Sequence, residues 1–290
     1  MDATSGPPPD RREPLDAAAA VAANRDRWDE MAALHAASRF YPAAEGIRSG
    51  RRDLGGAVAP SFEWDEIGPV AGQRVCHLQC HIGTDTVLFG RRGAAEVVGV
   101  DFAPAALTAL EALATELGVA GVVRGVESDV AGAPAATGGG FDLVYTSWGA
   151  LIWNPDIDAW AATIRDLLRP GGRLYLADSH PLTTALDRRA DGGLAVAWPS
   201  SGGTATRTEE QGTYALPDAV LEHTASQEWS WSIGEVVTAL LGAGLVLEHL
   251  AERAELVWEL WPTLRHDPDG YWRDPDGLPL SFSLGARRPG

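Results

Sequence analysis

The 290-residue chain has no lysine: all 23 of its basic side chains are arginines, set against 40 carboxylates, for a formal charge of −17. An acidic surface repels phosphate backbones and anionic lipid, so neither nucleic acid nor a membrane is an expected partner. Cysteine is nearly absent too. Two cysteines, without a signal-peptide pattern, exclude a disulfide framework and point to a reducing, cytoplasmic setting. No apolar run approaches the roughly 20 residues needed to span a bilayer. What remains, 45% apolar and 22% charged, is ordinary globular composition, long enough for one large domain with elaborations.

Both cysteines fall in one stretch, "RVCHLQCHIGTDT", beside two histidines: Cys76, His77, Cys80 and His81. The flanks are apolar and the stretch runs into Gly83, so it reads as a short strand ending in a turn. Alternate strand residues face opposite ways, which splits Cys76, Leu78 and Cys80 from His77, Gln79 and His81. A tetrahedral zinc site needs four converging ligands, usually from two separated pairs, and no second pair exists. No metal is expected.

Residues 1–20 are Pro-, Ala- and charge-rich and are expected to be frayed. Over 21–72 a helical cap is expected, with Trp28, Met31 and Leu34/His35 at helical spacing and Pro42 as the stop. From residue 73 strands and helices alternate. Strands are expected at 73–80, 96–102, 121–130, 141–148 and 173–180. Helices are expected at 85–94, 103–119 and 156–169, the last stopped by Pro170-Gly171-Gly172. Strands apolar nearly throughout argue for an α/β fold with a parallel sheet covered on both faces. The rhythm breaks after His180. Residues 182–228 read as a β-rich insertion, with strands at 211–216 and 219–229. A helix at 232–245 and strands at 246–253 and 278–288 complete the pattern.

In an open α/β sheet the ligand lies at the carboxyl ends of the strands, where strand order switches. The turn from Gln79 to Asp85 is therefore the expected site. Asp101 ends the second strand 18 positions after Gly83 (101 − 83), the spacing of a carboxylate that accepts ribose hydroxyls. Asp101 also suits a helix N-cap before "FAPAAL". A pyrophosphate dinucleotide fits less well, because the turn lacks the glycine that lets the pyrophosphate close in.

These residues, with "NRDRWDEMAALHAASRFYP", "YTSWGAL", "LRPGGRLYLADSHPL", "LEHT" and "WSIGEVVTALLGAGL", resemble the class I S-adenosylmethionine-dependent methyltransferases over almost the whole chain. The "LQCHIGTDT" turn is similar to that of a small-molecule branch of GC-rich bacteria. The resemblance implies a Rossmann-like fold with a seven-stranded, mostly parallel sheet. To this it adds a domain over 73–290, an N-terminal helical cap and a β-rich lid at about 182–228. In this chain His77 stands at the family's acidic position, Gln79 and His81 replace its first two glycines, and Gly83 is the third. The cofactor implied is S-adenosyl-L-methionine, with S-adenosyl-L-homocysteine as product. Gln79 and His81 would hold its methionine end, helped by Tyr41, Asp85 and Thr86. Asp101 would take the ribose, Phe102 and Val130 the adenine ring, and Asp129 its amine. Thr146 and Ser147 would floor the pocket.

The implied acceptor is a small aromatic or heterocyclic metabolite, with indole compounds as one instance. Eleven tryptophans suggest an aromatic-lined pocket. Trp28, His35, Tyr41, Trp148, Trp153 and Trp229 are the candidate acceptor contacts. His180, at the end of its strand, is the candidate general base, oriented by Asp178, and His223 is the second. Two rivals stand beside this reading: a non-catalytic S-adenosylmethionine-binding protein and a nucleotide-dependent oxidoreductase. Monomer and homodimer are equally open.

Overall fold

The computed structural model describes residues 10–41, 44–49, 61–188 and 193–290. Pro42, residues 1–9 of the segment expected to fray and residues 50–60 of the expected cap lie outside them.

The chain opens with β1 (Asp10–Arg12), α1 (Ala17–Ala37), α2 (Ala44–Ser49) and α3 (Ser61–Ile67). The alternating segment runs β2 (Arg74–Leu78), α4 (Thr86–Arg91), β3 (Glu96–Asp101), α5 (Pro104–Glu116), β4 (Val123–Glu127), α6 (Ala133–Thr137), β5 (Phe141–Ser147), α7 (Ile157–Leu167) and β6 (Leu168–Ser179). Next come α8 (Pro181–Thr184), β7 (Leu186–Arg188), β8 (Leu194–Val196), β9 (Thr204–Glu209), β10 (Ala225–Ser230), α9 (Ile233–Gly242) and β11 (Val246–Arg253). Three two-residue strands, β12 (Glu255–Leu256), β13 (Arg265–His266) and β14 (Trp272–Arg273), precede β15 (Ser281–Arg287).

Local chemistry sets the helix starts. Pro104 occupies the first turn of α5, where its missing N–H costs nothing. Asp156 caps α7 by accepting from the Ala159 amide at 2.9 Å. Ser232 and Glu235 form a reciprocal capping box on α9.

Seven strands make the central sheet, in the order β11-β15-β6-β5-β2-β3-β4. The five from β6 to β4 pair in parallel, and β15 runs antiparallel to both of its neighbours. Alternate residues feed two cores. Leu78, Val98, Val144 and Leu176 pack with Trp160 of α7 and Val236 of α9. Val75, Val97, Leu143 and Tyr145 pack with Phe89 of α4 and Leu110 of α5. From β2 the chain steps outward through β3 and β4, then returns to β5 on the other side. The switch point is thus between β2 and β5.

Departures from the sequence reading concentrate outside the sheet. Residues 10–12, expected to be frayed, pair with β9, and α1 begins at Ala17. The buried stripe of α1 is partly polar, with Asn24, Arg27 and His35 beside Met31. Asn24 exchanges hydrogen bonds with the Gln227 backbone at 2.8 and 2.9 Å. No strand forms at 211–216; the antiparallel partner of β10 is β9 instead. The Pro-Gly-Gly segment does not stop α7, because the helix ends at Leu167 and β6 follows at once. The small sheet β12-β14-β13 was not foreseen, since two-residue strands carry no readable alternation.

Candidate functional site

The carboxyl ends of β2, β3 and β5 surround a cavity of about 130 Å³. Two left-handed turns form its walls. After β2, the Cys80 amide donates to the Val100 carbonyl at 2.9 Å and Gly83 closes back on the Cys80 carbonyl at 3.0 Å. Gln79 and His81 hold φ of 58° and 49°, so the backbone keeps a conformation natural to glycine although glycine is gone. Gly83 remains because a Cβ there would stand 2.2 Å from Leu110 Cδ1, at φ +76°. After β5, Trp148 has φ 36° and Gly149 has φ 81°.

An aspartate at the end of a neighbouring strand clamps each turn. Asp101 accepts from the His81 amide at 2.8 Å and the Ala103 amide at 3.0 Å. Asp178 accepts from the amides of Gly149 at 2.6 Å and Ser179 at 2.7 Å. Removal from water raises both carboxyls to about 6, against the pull of these amides. Asp178 therefore fixes the β5 turn rather than orienting His180.

Behind the second turn lies Glu63 of α3, fully buried. It accepts from Trp148 Nε1 at 2.8 Å and from the Tyr145 hydroxyl at 2.9 Å. Burial, with Asp85 nearby, raises it to about 8. Behind the first turn the partners are histidines. His35 Nδ1 lies 2.9 Å from His81 Nε2, and His77 Nδ1 lies 2.8 Å from Thr86 Oγ1. Burial lowers His35 to about 4 and both His77 and His81 to about 3, so all three are neutral imidazoles at neutral pH. Tyr41 and Tyr214 meet hydroxyl to hydroxyl, and both line the cavity with Trp28 and Trp153.

Of the sequence-predicted residues, Trp28, Tyr41, Gln79, His81, Asp85, Asp101, Phe102, Val130, Ser147, Trp148 and Trp153 line the cavity. Gly83, Thr86, His35, Asp129, Thr146 and Trp229 do not. Gly83 and Thr86 shape the turn from behind. Asp129 is exposed and accepts from the Gly132 amide at 2.7 Å. Thr146 is buried, and its hydroxyl has no hydrogen-bond partner among the described residues. Trp229 belongs to β10 and is buried there.

Neither candidate base lines the cavity. His180 caps α8: its Nδ1 accepts from the Leu182 amide at 3.1 Å and its Nε2 meets Glu252 at 2.8 Å. His223 lies on the surface against Glu30, at 3.1 Å. Strand-end position pointed to His180, but the following turn rotates it into a cap. The carboxamide of Gln79 is spent within the protein, donating to the Ala150 carbonyl at 3.1 Å and accepting from Asn154 at 3.2 Å. The sequence reading missed Glu63, Asn154 and Tyr214. Only the Asn154 neighbourhood, "TSWGALIWN", carried any signal.

Among the described residues, no group of three or more His, Cys, Asp or Glu side chains converges as a metal site. No helix among them is long and apolar enough to cross a membrane.

Residues 75–172 match a family described as a methyltransferase domain. No curated protein matches the chain in sequence. Among solved structures, the chain is similar to a provisionally assigned S-adenosylmethionine dependent methyltransferase from Listeria monocytogenes. That likeness has a TM-score of 0.56 at 16% identity, over 79% of this chain and 98% of that one. An S-adenosylmethionine dependent methyltransferase from Mesorhizobium loti gives a TM-score of 0.52 at 20% identity, over 78% and 96%. One from Methanosarcina mazei gives 0.51 at 13%, over 80% and 98%. The fold is the Rossmann-like methyltransferase fold.

Proposed function

We propose that the chain is an S-adenosylmethionine-dependent methyltransferase acting on a small aromatic or heterocyclic acceptor. One observation carries the reading: the switch-point cavity is lined by two carboxylates, Asp85 and Asp101, and six aromatic rings, with no arginine among its lining residues. A pyrophosphate brings negative charge that such a wall repels. A ligand with a sulfonium, an ammonium and a ribose suits it.

S-adenosyl-L-methionine, when bound, supplies an electrophilic methyl group and leaves as S-adenosyl-L-homocysteine. The residues of this chain fit that group. Two amides occupy Asp101, but a carboxylate has about four acceptor positions, so it retains capacity for ribose hydroxyls. Phe102, Ser128 and Val130 offer an apolar slot with a polar edge for a base ring. The rings of Trp28, Tyr41, Trp153 and Tyr214 add an aromatic wall that would exclude water from a flat acceptor.

His77 and His81, held neutral at about 3, take no proton at neutral pH. Holding the nucleophile in line with the methyl group then carries the rate. With no imidazole to take the proton, an acceptor nucleophilic in its neutral form, such as an amine or an electron-rich ring carbon, is favoured; an indole is one such ring. The absence of His180 and His223 from the cavity lining favours one second reading, a protein that binds the cofactor without turnover.

Calorimetry with S-adenosyl-L-homocysteine and a nicotinamide dinucleotide tests the cofactor, with micromolar-range binding of the first alone expected. Dinucleotide binding without a response to the sulfur compound overturns the proposal. Product release across a panel of aromatic amines and indoles separates enzyme from binding protein.

A further inference from the structure

Gln79, His81 and Trp148 are the positive-φ residues other than glycine among the described residues. All three line the cavity. A side chain at positive φ is strained, and the conformation persists only where the surroundings over-determine it. Each of the three has its side chain fastened to one buried polar residue that does not line the cavity. Asn154 donates to Gln79 Oε1 at 3.2 Å, while Gln79 itself donates to the Ala150 carbonyl. His35 Nδ1 holds His81 Nε2 at 2.9 Å. Glu63 accepts from Trp148 Nε1 at 2.8 Å.

We propose that Asn154, His35 and Glu63 are positioning residues, each locking one left-handed residue of the cavity wall so that the ligand site is formed before the ligand arrives. The three come from separate parts of the fold: the end of a 3-10 turn at Leu151–Trp153, helix α1 and helix α3. Two of them lie outside the segment 75–172 that matches the methyltransferase domain. The N-terminal helices thus do work that motif glycines do through backbone freedom alone.

The cost of the arrangement argues for this role over plain packing. His35 is fully buried, yet its Nε2 has no hydrogen-bond partner among the described residues. Its shortest side-chain contact, at 2.9 Å, is with the strained residue of the turn, and the Tyr214 hydroxyl lies farther off at 3.4 Å from the same Nδ1 nitrogen. Glu63 is a buried carboxyl where an apolar side chain would fill space without taking a polar group out of water. Backbone holds complete two of the locks: the His81 amide on Asp101 at 2.8 Å and the Trp148 amide on the Ala177 carbonyl at 2.8 Å. Neutrality matters at the first lock, since two protonated rings would face donor to donor. Burial keeps both imidazoles uncharged.

This inference rests on the cavity being the cofactor site, and a double-mutant cycle on the full chain separates the two. His35→Phe should weaken S-adenosyl-L-homocysteine binding about tenfold in the natural background and less than about twofold when His81→Gly is also present. Glycine at 81 needs no lock, so removing the lock then costs little. Glu63→Gln, which keeps an acceptor for the indole N–H, should bind nearly normally, whereas Glu63→Leu should lose about tenfold. Equal losses in both backgrounds, or normal binding by folded Glu63→Leu, would overturn the proposal. Should His35→Phe not fold, Asn154→Ser against Gln79→Gly runs the same cycle. If the unmodified chain binds no S-adenosyl-L-homocysteine, the functional reading fails. The locks are then judged by urea unfolding midpoints, where additivity of His35→Phe and His81→Gly sinks them and coupling sustains them.

Discussion

The turn after β2 and the turn after β5 solve one problem with opposite chemistry. Each places at least one non-glycine residue at positive φ in the cavity wall, and each is clamped by an aspartate from a neighbouring strand end. The first is then backed by neutral imidazoles and the second by a buried carboxyl. They differ in packing as well. Gly83 lies against Leu110 with no room for a methyl group, whereas Gly149 has open space where a Cβ would go. Backbone shape alone therefore does not fix how a turn responds to mutation or to pH; the layer behind it does.

The largest expected effect comes from the glycines. Gly83→Ala should cost on the order of 3–5 kcal/mol, adding a core clash to the left-handed penalty. Gly149→Ala should cost only about 1–2 kcal/mol, the conformational penalty by itself. Equal losses in urea unfolding would erase the packing difference between the turns.

The clamps come next. Asp101→Ala should weaken cofactor-product binding by about 1.5–3 kcal/mol, the range for hydrogen bonds to a charged group. Asp178→Ala should act mainly on the Trp148 side, read as a shift in tryptophan emission with a smaller change in cofactor affinity. If the two variants behave identically, the turns do not serve separate parts of the site.

A pH titration sharpens the contrast. His35 sits at about 4 in the fold against an ordinary 6.5. Its contribution to stability is therefore present above about 6.5 and lost as pH falls toward 4. Glu63 sits at about 8 against an ordinary 4.5, so its contribution is present below 4.5 and lost as pH rises through 8. Urea midpoints across pH should show His35→Phe flattening the acid limb and Glu63→Gln flattening the alkaline one. The reverse assignment would mean that the backing layers have been misread.

His180→Ala should remove a helix cap worth about 1 kcal/mol and change turnover by less than tenfold. A loss of 10²–10⁴ in turnover with unchanged cofactor affinity would restore it as general base. The smallest effect is expected from chelators, which should leave the unfolding midpoint where it was. Release of one stoichiometric metal per chain would overturn that.

The sheet, its helices and the placement of the cavity were legible from residue 73 to residue 180, because apolar strands, helix caps and the spacing of Gly83 to Asp101 are local patterns. Asp101 was placed in the cavity lining by that spacing, and Gln79 and His81 by the resemblance of the turn to a family motif. The strand expected at 211–216 did not form and the one expected at 219–229 starts only at Ala225, because the segment is largely polar and leaves little alternation to fix a register. His180 falls outside the cavity lining because strand-end position does not say which way the next turn rotates a side chain.

By itself, then, the sequence determined the fold class and the place of the switch-point cavity, since both follow from contacts near in the chain. Only the tertiary structure decided what holds the site in shape. His35 reaches His81 across 46 positions, Glu63 reaches Trp148 across 85 and Tyr214 reaches Tyr41 across 173. A hydrogen bond at such separation leaves no periodic trace in the sequence; it exists because burial removes water as the competing partner and packing sets the distance.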